Sequence, residues 1–269
     1  PDMRFPTLKD AEARTDLSLL GVETIAQARA LSWQELLERW AKSMPSLGLQ
    51  RTPVVDGWVL PASLEDMAAA GEYRHVPCLI GYTSQEGIPA APSFRVWKEI
   101  LEREYGPEKG REVLELCGGE ENFEEYSKYR HFTDHCRAAA EAWALVKEKQ
   151  GTGDTYVYCL DRPLPGDDMG AFHAADLWYV FKTFMRGWRP WTGTDFELAR
   201  ACNTYWANFA KTGVPQGDRL PQWTPYTRES SMTMELGEHI GMISMEHKPL
   251  VDFRRSFLME QTEKRNQKI

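Results

Sequence analysis

What the sequence lacks narrows the field first. Its 32 Lys and Arg never gather into a long basic block, and 40 Asp and Glu outnumber them for a formal net charge of −8, so nothing in it is built to track a nucleic-acid backbone. No stretch of eighteen apolar residues occurs, and the opening "PDMRFPTLKDAEARTD" has no apolar core for a signal peptide, which argues against a membrane span and a secretory leader. Cysteine is scarce and unpatterned. Cys78, Cys117, Cys136, Cys159 and Cys202 are odd in number, widely spaced and form no C-x-x-C pair, as expected of free thiols in a reducing compartment rather than a disulfide framework. The cytoplasm is therefore the expected location, with a secreted protein holding one bridge as the alternative. Internal repeats and low-complexity tracts are absent too. Finally, no Met precedes position 3, which gives the chain the look of a segment of a longer protein.

What is present is the composition of a folded protein: 42% hydrophobic and 12% aromatic over 269 residues, enough for one large domain or two small ones. From Leu8 to Met44 apolar residues recur at helical spacing, and Leu31, Trp33, Leu36, Leu37 and Trp40 are expected to share one stripe. Ser63 is expected to open a short helix. "VPCLIGY" (76–82) is a short apolar run and "DTYVYCLDRP" (154–163) is β-branched and aromatic, and both read as buried strands. Helices are expected in "SFRVWKEILEREYG", "PEKGREVLELCG" and "TDHCRAAAEAWALVKEKQG", the last ended by Gly151. Another is expected in "TGTDFELARACNTYWANFAKTG", with Thr194 and Glu197 as its capping box and Gly213 as its C-cap. "SSMTMELGEHIGMI" alternates with a period of two and predicts a final strand or hairpin before a polar helix. Strands this far apart, with helices between, imply parallel pairing through crossovers. Two or three strands make a thin sheet for so much helix, so an unpaired edge, and with it a partner or an oligomer, is expected.

Two residues stand where open α/β sheets place their chemistry, beyond the carboxyl ends of strands. Glu86 lies in the polar turn "GYTSQEG" directly after the first strand, and His173 follows the second through the loop "PLPGDDMGAF". Taken singly, a loop Glu is usually a solvated charge and a His beside Phe172 and Ala174 is often a core residue. Together they make a different case: a carboxylate accepting from Nδ1–H fixes the imidazole tautomer and leaves Nε2 free to take a hydroxyl proton. The rival cluster is "HFTDHC", where His131 and His135 share a helix face at a spacing that suits a metal. It lacks the Glu of a zincin after the first His, because Phe132 stands there, and any metal would need ligands from elsewhere. No metal and no cofactor are expected. Of the aromatics near His173, Leu177, Phe181 and Phe184 form a helical stripe suited to the core, whereas Phe172 and Trp178 are the expected walls of a substrate pocket. His239 and His247 read as surface residues.

With those residues in view, the sequence resembles the type B carboxylesterases, the branch of the α/β-hydrolases that includes para-nitrobenzyl esterases and the cholinesterases. "PVVDGWVLP", "PCLIGYTSQEG", "GAFHAADLWYVF", "WANFAKTGVPQG" and "LPQWTPYT" are similar to successive blocks of that family, in its order. The resemblance implies a serine hydrolase of small carboxylic esters. It implies Glu86 as acid, with Gly81 and Gly87 matching and Gln85 where Asp is usual, and His173 as base, with Asp176 where Glu is common. No Ser in the sequence stands in the Gly-x-Ser-x-Gly elbow that holds the family's nucleophile, and in that fold's chain order the nucleophile precedes the acid. The whole chain, residues 1–269, is accordingly expected to be the C-terminal portion of such a domain, α/β in class, with few mostly parallel strands covered by many helices. Its expected partners are the ester and the N-terminal half of the enzyme or another copy of itself; by itself it is expected to be inactive. The competing reading is a non-catalytic scaffold on the same fold.

Overall fold

The structure, a computed structural model, describes residues 5–14, 16–47, 53–87 and 90–267. Two compact units divide the chain between Met67 and Ala68.

The first unit is helical, with α1 (Leu8–Arg14), α2 (Ile25–Ala30) and α3 (Trp33–Leu47). Its single expected stripe is broken in two. Thr24 and Gln27 form a capping box that starts α2, and Ser32 and Glu35 exchange the same reciprocal bonds, with Glu35 accepting from the Ser32 N–H at 3.1 Å, to start α3. Leu31 between them is extended, so it closes α2 instead of joining the stripe of Trp33, Leu36, Leu37 and Trp40. A parallel bridge between Thr7 and Val55 brings the two ends of this unit together.

α4 (Leu64–Ala70) leads into the second unit, with the Ser63 hydroxyl accepting from the Asp66 N–H at 3.1 Å as its cap. Then come β1 (Cys78–Thr83), α5 (Phe94–Tyr105), α6 (Pro107–Leu116), and α7 (Phe123–Glu125), which widens into a π-helical turn over Tyr126–Arg130. α8 (His131–Gln150), β2 (Thr155–Asp161), α9 (Asp176–Val180), α10 (Gly193–Thr212), β3 (Met232–Gly237), β4 (Ile240–Ser244) and α11 (Pro249–Asn266) complete the order. The sheet runs β1-β2-β3-β4. The first three strands are parallel, and β4 returns against β3 through the two residues Glu238 and His239.

β2 shows why its run is apolar throughout. Alternate side chains point to opposite faces: Tyr156, Tyr158 and Leu160 pack with Leu198, Cys202 and Tyr205 of α10, while Val157 and Cys159 pack with Ala140 and Ala144 of α8. Between Thr155 at its start and Asp161 at its end, this doubly covered strand carries only apolar and aromatic side chains and one thiol. Gly81 of β1 lies opposite Tyr158, and a Cβ there would fall 2.4 Å from the tyrosine ring and its carbonyl oxygen. A separate helical core gathers Trp97, Leu101, Val113, Phe123 and Leu250 from α5, α6, α7 and α11.

Two expectations are corrected. α10 starts two residues early, because the capping pair is Thr192 and Asp195 rather than Thr194 and Glu197: Asp195 accepts from the Thr192 N–H at 2.8 Å. The Leu177, Phe181 and Phe184 stripe does not form, since α9 stops at Val180 and Lys182 turns the chain with φ 52°. Phe184 is buried, but Leu177 and Phe181 are exposed, the latter to 67%.

Candidate active site

The acid turn begins where β1 ends. Ser84 N–H continues the sheet by donating to Leu160 C=O, and Gln85 N–H then crosses to Ala171 C=O at 3.2 Å, so the turn is fastened to the loop that follows β2. Glu86 is 5% exposed. Its Oε1 accepts from the Thr83 N–H at 2.8 Å, and its own N–H donates to Thr133 Oγ1 of α8 at 2.9 Å. Gly87 holds φ 65°, in the region that favours glycine, and turns the chain away immediately after the carboxylate.

The base loop, residues 162–175, is clamped at both ends by one carboxylate. Asp195 is fully buried and accepts from Arg162 Nε at 2.9 Å, at the loop's start, and from the Tyr179 hydroxyl at 2.9 Å, just past its end. Burial raises the Asp195 carboxyl, but the hydrogen bonds from Arg162 and Thr192 outweigh it and bring it down to about 2. Arg189 braces the middle by donating to Pro165 C=O at 3.0 Å and to Asp167 at 2.7 Å. Gly170 supplies the remaining fit. The Gln85 carboxamide occupies the place a Cβ would take, so only glycine leaves room there for the side chain of the acid turn to pack on the base loop.

These elements bring Glu86 and His173 together. Glu86 Oε2 lies 2.5 Å from His173 Nδ1, and the two residues are 87 positions apart in sequence. A carboxylate at that nitrogen places the ring proton on Nδ1 and leaves Nε2 as an acceptor. The His173 side chain is 59% exposed, which gives Nε2 room for a reacting group. Phe132, beside Thr133 on α8, meets the imidazole edge to face at 6.1 Å between ring centres. Ala174, the next residue, has φ 65°, a conformation a side chain adopts only at a cost.

Asp176 accepts from the Tyr158 hydroxyl at 2.7 Å; burial first, and then that carboxylate, push the phenol well above its ordinary range and keep it a donor. Phe172 and Trp178 are half-buried against the main core, and the Arg189 guanidinium lies over both rings, at 5.6 and 5.9 Å.

The histidines of "HFTDHC" do something else. Their rings are 6.2 Å apart, but His131 Nδ1 is 3.3 Å from a nitrogen of Arg254; burial, with that guanidinium beside it, draws the imidazole down to about 3 and keeps it neutral. A cation has no place beside that guanidinium. Among the described residues no group of three or more His, Cys, Asp and Glu could hold a metal. His239 and His247 are exposed, on Glu235 and Asp252. All five cysteines are free thiols, and burial pushes Cys117 and Cys159 up to about 12. Sequence reasoning missed Thr133, Asp195 and Arg189 as parts of the site. The first lay in plain view inside the cluster weighed for metal.

A mostly parallel sheet with helices on both faces, and a carboxylate paired with an imidazole beyond the carboxyl ends of two neighbouring strands, fit the fold of an α/β-hydrolase. Comparison with known proteins agrees. The chain belongs to the carboxylesterase family, whose model matches residues 119–253. It is 39% identical to human bile salt-activated lipase over 124 residues, covering 42% of this chain and 16% of the lipase. It is 23% identical to the acetylcholinesterase of Bungarus fasciatus over 287 residues, covering 88% of this chain and 46% of that enzyme. A solved PNB esterase superposes with a TM-score of 0.71 at 22% identity, covering 94% of this chain and 54% of its own. The chain thus spans about half the length of that esterase, and of the acetylcholinesterase. No helix among the described residues is long and apolar enough to cross a membrane.

Proposed function

We propose that this chain supplies the acid and the base for hydrolysis of small carboxylic esters by a Ser-His-Glu mechanism, with the nucleophilic serine and the oxyanion hole contributed by residues outside this sequence. The observation that carries the reading is the 2.5 Å contact between buried Glu86 and exposed His173. In the assembled enzyme, His173 Nε2 takes the serine hydroxyl proton as the oxygen attacks the ester carbonyl. The imidazolium then returns that proton to the departing alcohol, and water, deprotonated at the same nitrogen, releases the acid. Glu86 stays ionised throughout, holding the ring and stabilising its charged form. Phe172 and Trp178 offer aromatic surface to an apolar acyl or aryl group.

The chain alone lacks the largest contributions to such a rate, since no Ser stands in a Gly-x-Ser-x-Gly elbow, and it is inactive in this reading. The partner is the nucleophile-bearing half of the same enzyme, or a second copy of the chain. Support comes from β1, which has a strand on one side only among the described residues, and from exposed Met169, Phe181, Met185 and Trp188 on and beyond the base loop. Five free thiols favour a reducing, cytoplasmic setting.

The test is complementation. The chain is expected to leave a chromogenic ester intact by itself and to hydrolyse it when a polypeptide bearing the elbow is supplied. Activity that survives His173→Ala in the mixture would remove the role assigned to that residue.

A further inference from the structure

We propose that Thr133 is a positioning residue for the acid–base pair, its hydroxyl wedged into the Glu86 turn so that the carboxylate can reach both Thr83 and His173. The proposal rests on the reading of Glu86 and His173 as acid and base. Thr83 C=O and Glu86 N–H are the first and fourth groups of the turn, the two that bond to each other in an ordinary closed β-turn. Here one side-chain oxygen serves both: Thr133 Oγ1 accepts from Glu86 N–H at 2.9 Å and donates to Thr83 C=O at 3.4 Å.

The turn is held open by a hydroxyl's width as a result. That matters because the Glu86 side chain folds back on the same turn. Oε1 is committed to the Thr83 N–H at 2.8 Å, and with the backbone at this spacing Oε2 reaches Nδ1 of His173 at 2.5 Å. Thr83, Glu86 and Thr133 are all at least nine-tenths buried, so water is a poor substitute for the hydroxyl. Removing it leaves Glu86 N–H either unpaired or closing directly on Thr83 C=O, and closure pulls the carboxylate back from the imidazole.

The hydroxyl comes from a rigid source. Thr133 sits in the first turn of the twenty-residue α8, whose Ala140 and Ala144 pack against the sheet, and its neighbour Phe132 touches the His173 ring. One helix end therefore sets the acid from below and borders the base from the side. Helix-borne groups hold such a geometry more tightly than loop-borne ones.

The experiment reads the His173 Nδ1 proton by heteronuclear NMR on the chain itself, without need of activity. Wild type and Thr133→Ser, which keeps the hydroxyl, are expected to show a strongly downfield Nδ1 proton. Thr133→Val, which keeps the shape, is expected to lose it while the amide signals of β2 and β3 stay in place. Should the valine variant fail to fold, Thr133→Ala against Thr133→Ser makes the same comparison, the alanine losing the proton signal and the serine retaining it. An unchanged signal in the valine or alanine variant overturns the role of Thr133 and leaves the acid–base pair standing. Absence of the signal from wild type itself overturns both, and so separates the two failures.

Discussion

The proposed acid and base occupy opposite kinds of ground. Glu86 is buried on a short turn, with its backbone and both carboxylate oxygens engaged, whereas His173 is largely exposed on a fourteen-residue loop and, among the described residues, its ring has one hydrogen-bond partner, Glu86. Precision at the base is therefore borrowed. The loop is held at its ends by Asp195 and in its middle by Arg189, and the ring direction is set by a buried carboxylate that is itself hydrogen-bonded to the Thr83 N–H. The arrangement keeps the reactive nitrogen open to a substrate while the group that orients it stays dry.

The strongest way to break this comparison is to remove the charge on the fixed side. Glu86→Gln in the complemented enzyme is expected to lower kcat by about 10⁴-fold, as when an amide replaces the orienting carboxylate in a serine protease and selects the wrong tautomer. Initial rates with a chromogenic ester measure it.

Asp195→Asn attacks the other side. It leaves Arg162 without its buried partner and frees both ends of the base loop, with an expected loss of about 3 kcal/mol by denaturant titration. The Asp195 carboxyl is depressed, so its stabilisation is fully present above the ordinary aspartate range near 4 and is lost as pH falls through about 2.

The helix beneath the Glu86 turn carries a pH sensitivity of the same sign in a higher window. His131 is held neutral with its ionisation drawn down to about 3, first by burial and then by Arg254, while an unfolded histidine takes up its proton near 6.5. Between those values the unfolded state binds more protons, so stability falls with falling pH. The slope is about 1.4 kcal/mol per pH unit, or about 2 kcal/mol between pH 6.5 and 5, and His131→Gln is expected to flatten it.

The smallest effect sharpens the contrast instead of breaking it. Ala174→Gly relieves the positive φ beside the base and is expected to stabilise the chain by up to about 1 kcal/mol in thermal melts, its gain limited by glycine's extra chain entropy.

The sequence disclosed β1 and β2 because each is a short run of apolar and aromatic side chains, and in β2 that run, Tyr156 to Leu160, is covered on both faces. It disclosed Glu86 and His173 because each follows such a strand within a turn or a loop. What holds them was less legible. Thr133 acts through one hydroxyl across 47 positions of sequence, and no local pattern encodes that contact. Its surroundings, "HFTDHC", pointed to a metal because two histidines share a helix face, whereas the fold gives one of them to Arg254. The stripe of Leu177, Phe181 and Phe184 failed for a similar reason, since periodicity assumes a helix that continues and α9 ends after five residues. The capping pair of α10 shifted to Thr192 and Asp195 because that carboxylate also serves Arg162 and Tyr179, a tertiary demand invisible along the chain.

The central claim is that Glu86 holds the Nδ1 proton of His173 and leaves Nε2 to do the chemistry. Nitrogen-15 NMR of the His173 imidazole, in wild type and in Glu86→Gln at neutral pH, tests it most directly. Wild type is expected to carry a proton at Nδ1 that is shifted downfield, and the glutamine variant to lose that signal. A ring protonated at Nε2 in wild type, or a spectrum unchanged by Glu86→Gln, would contradict it.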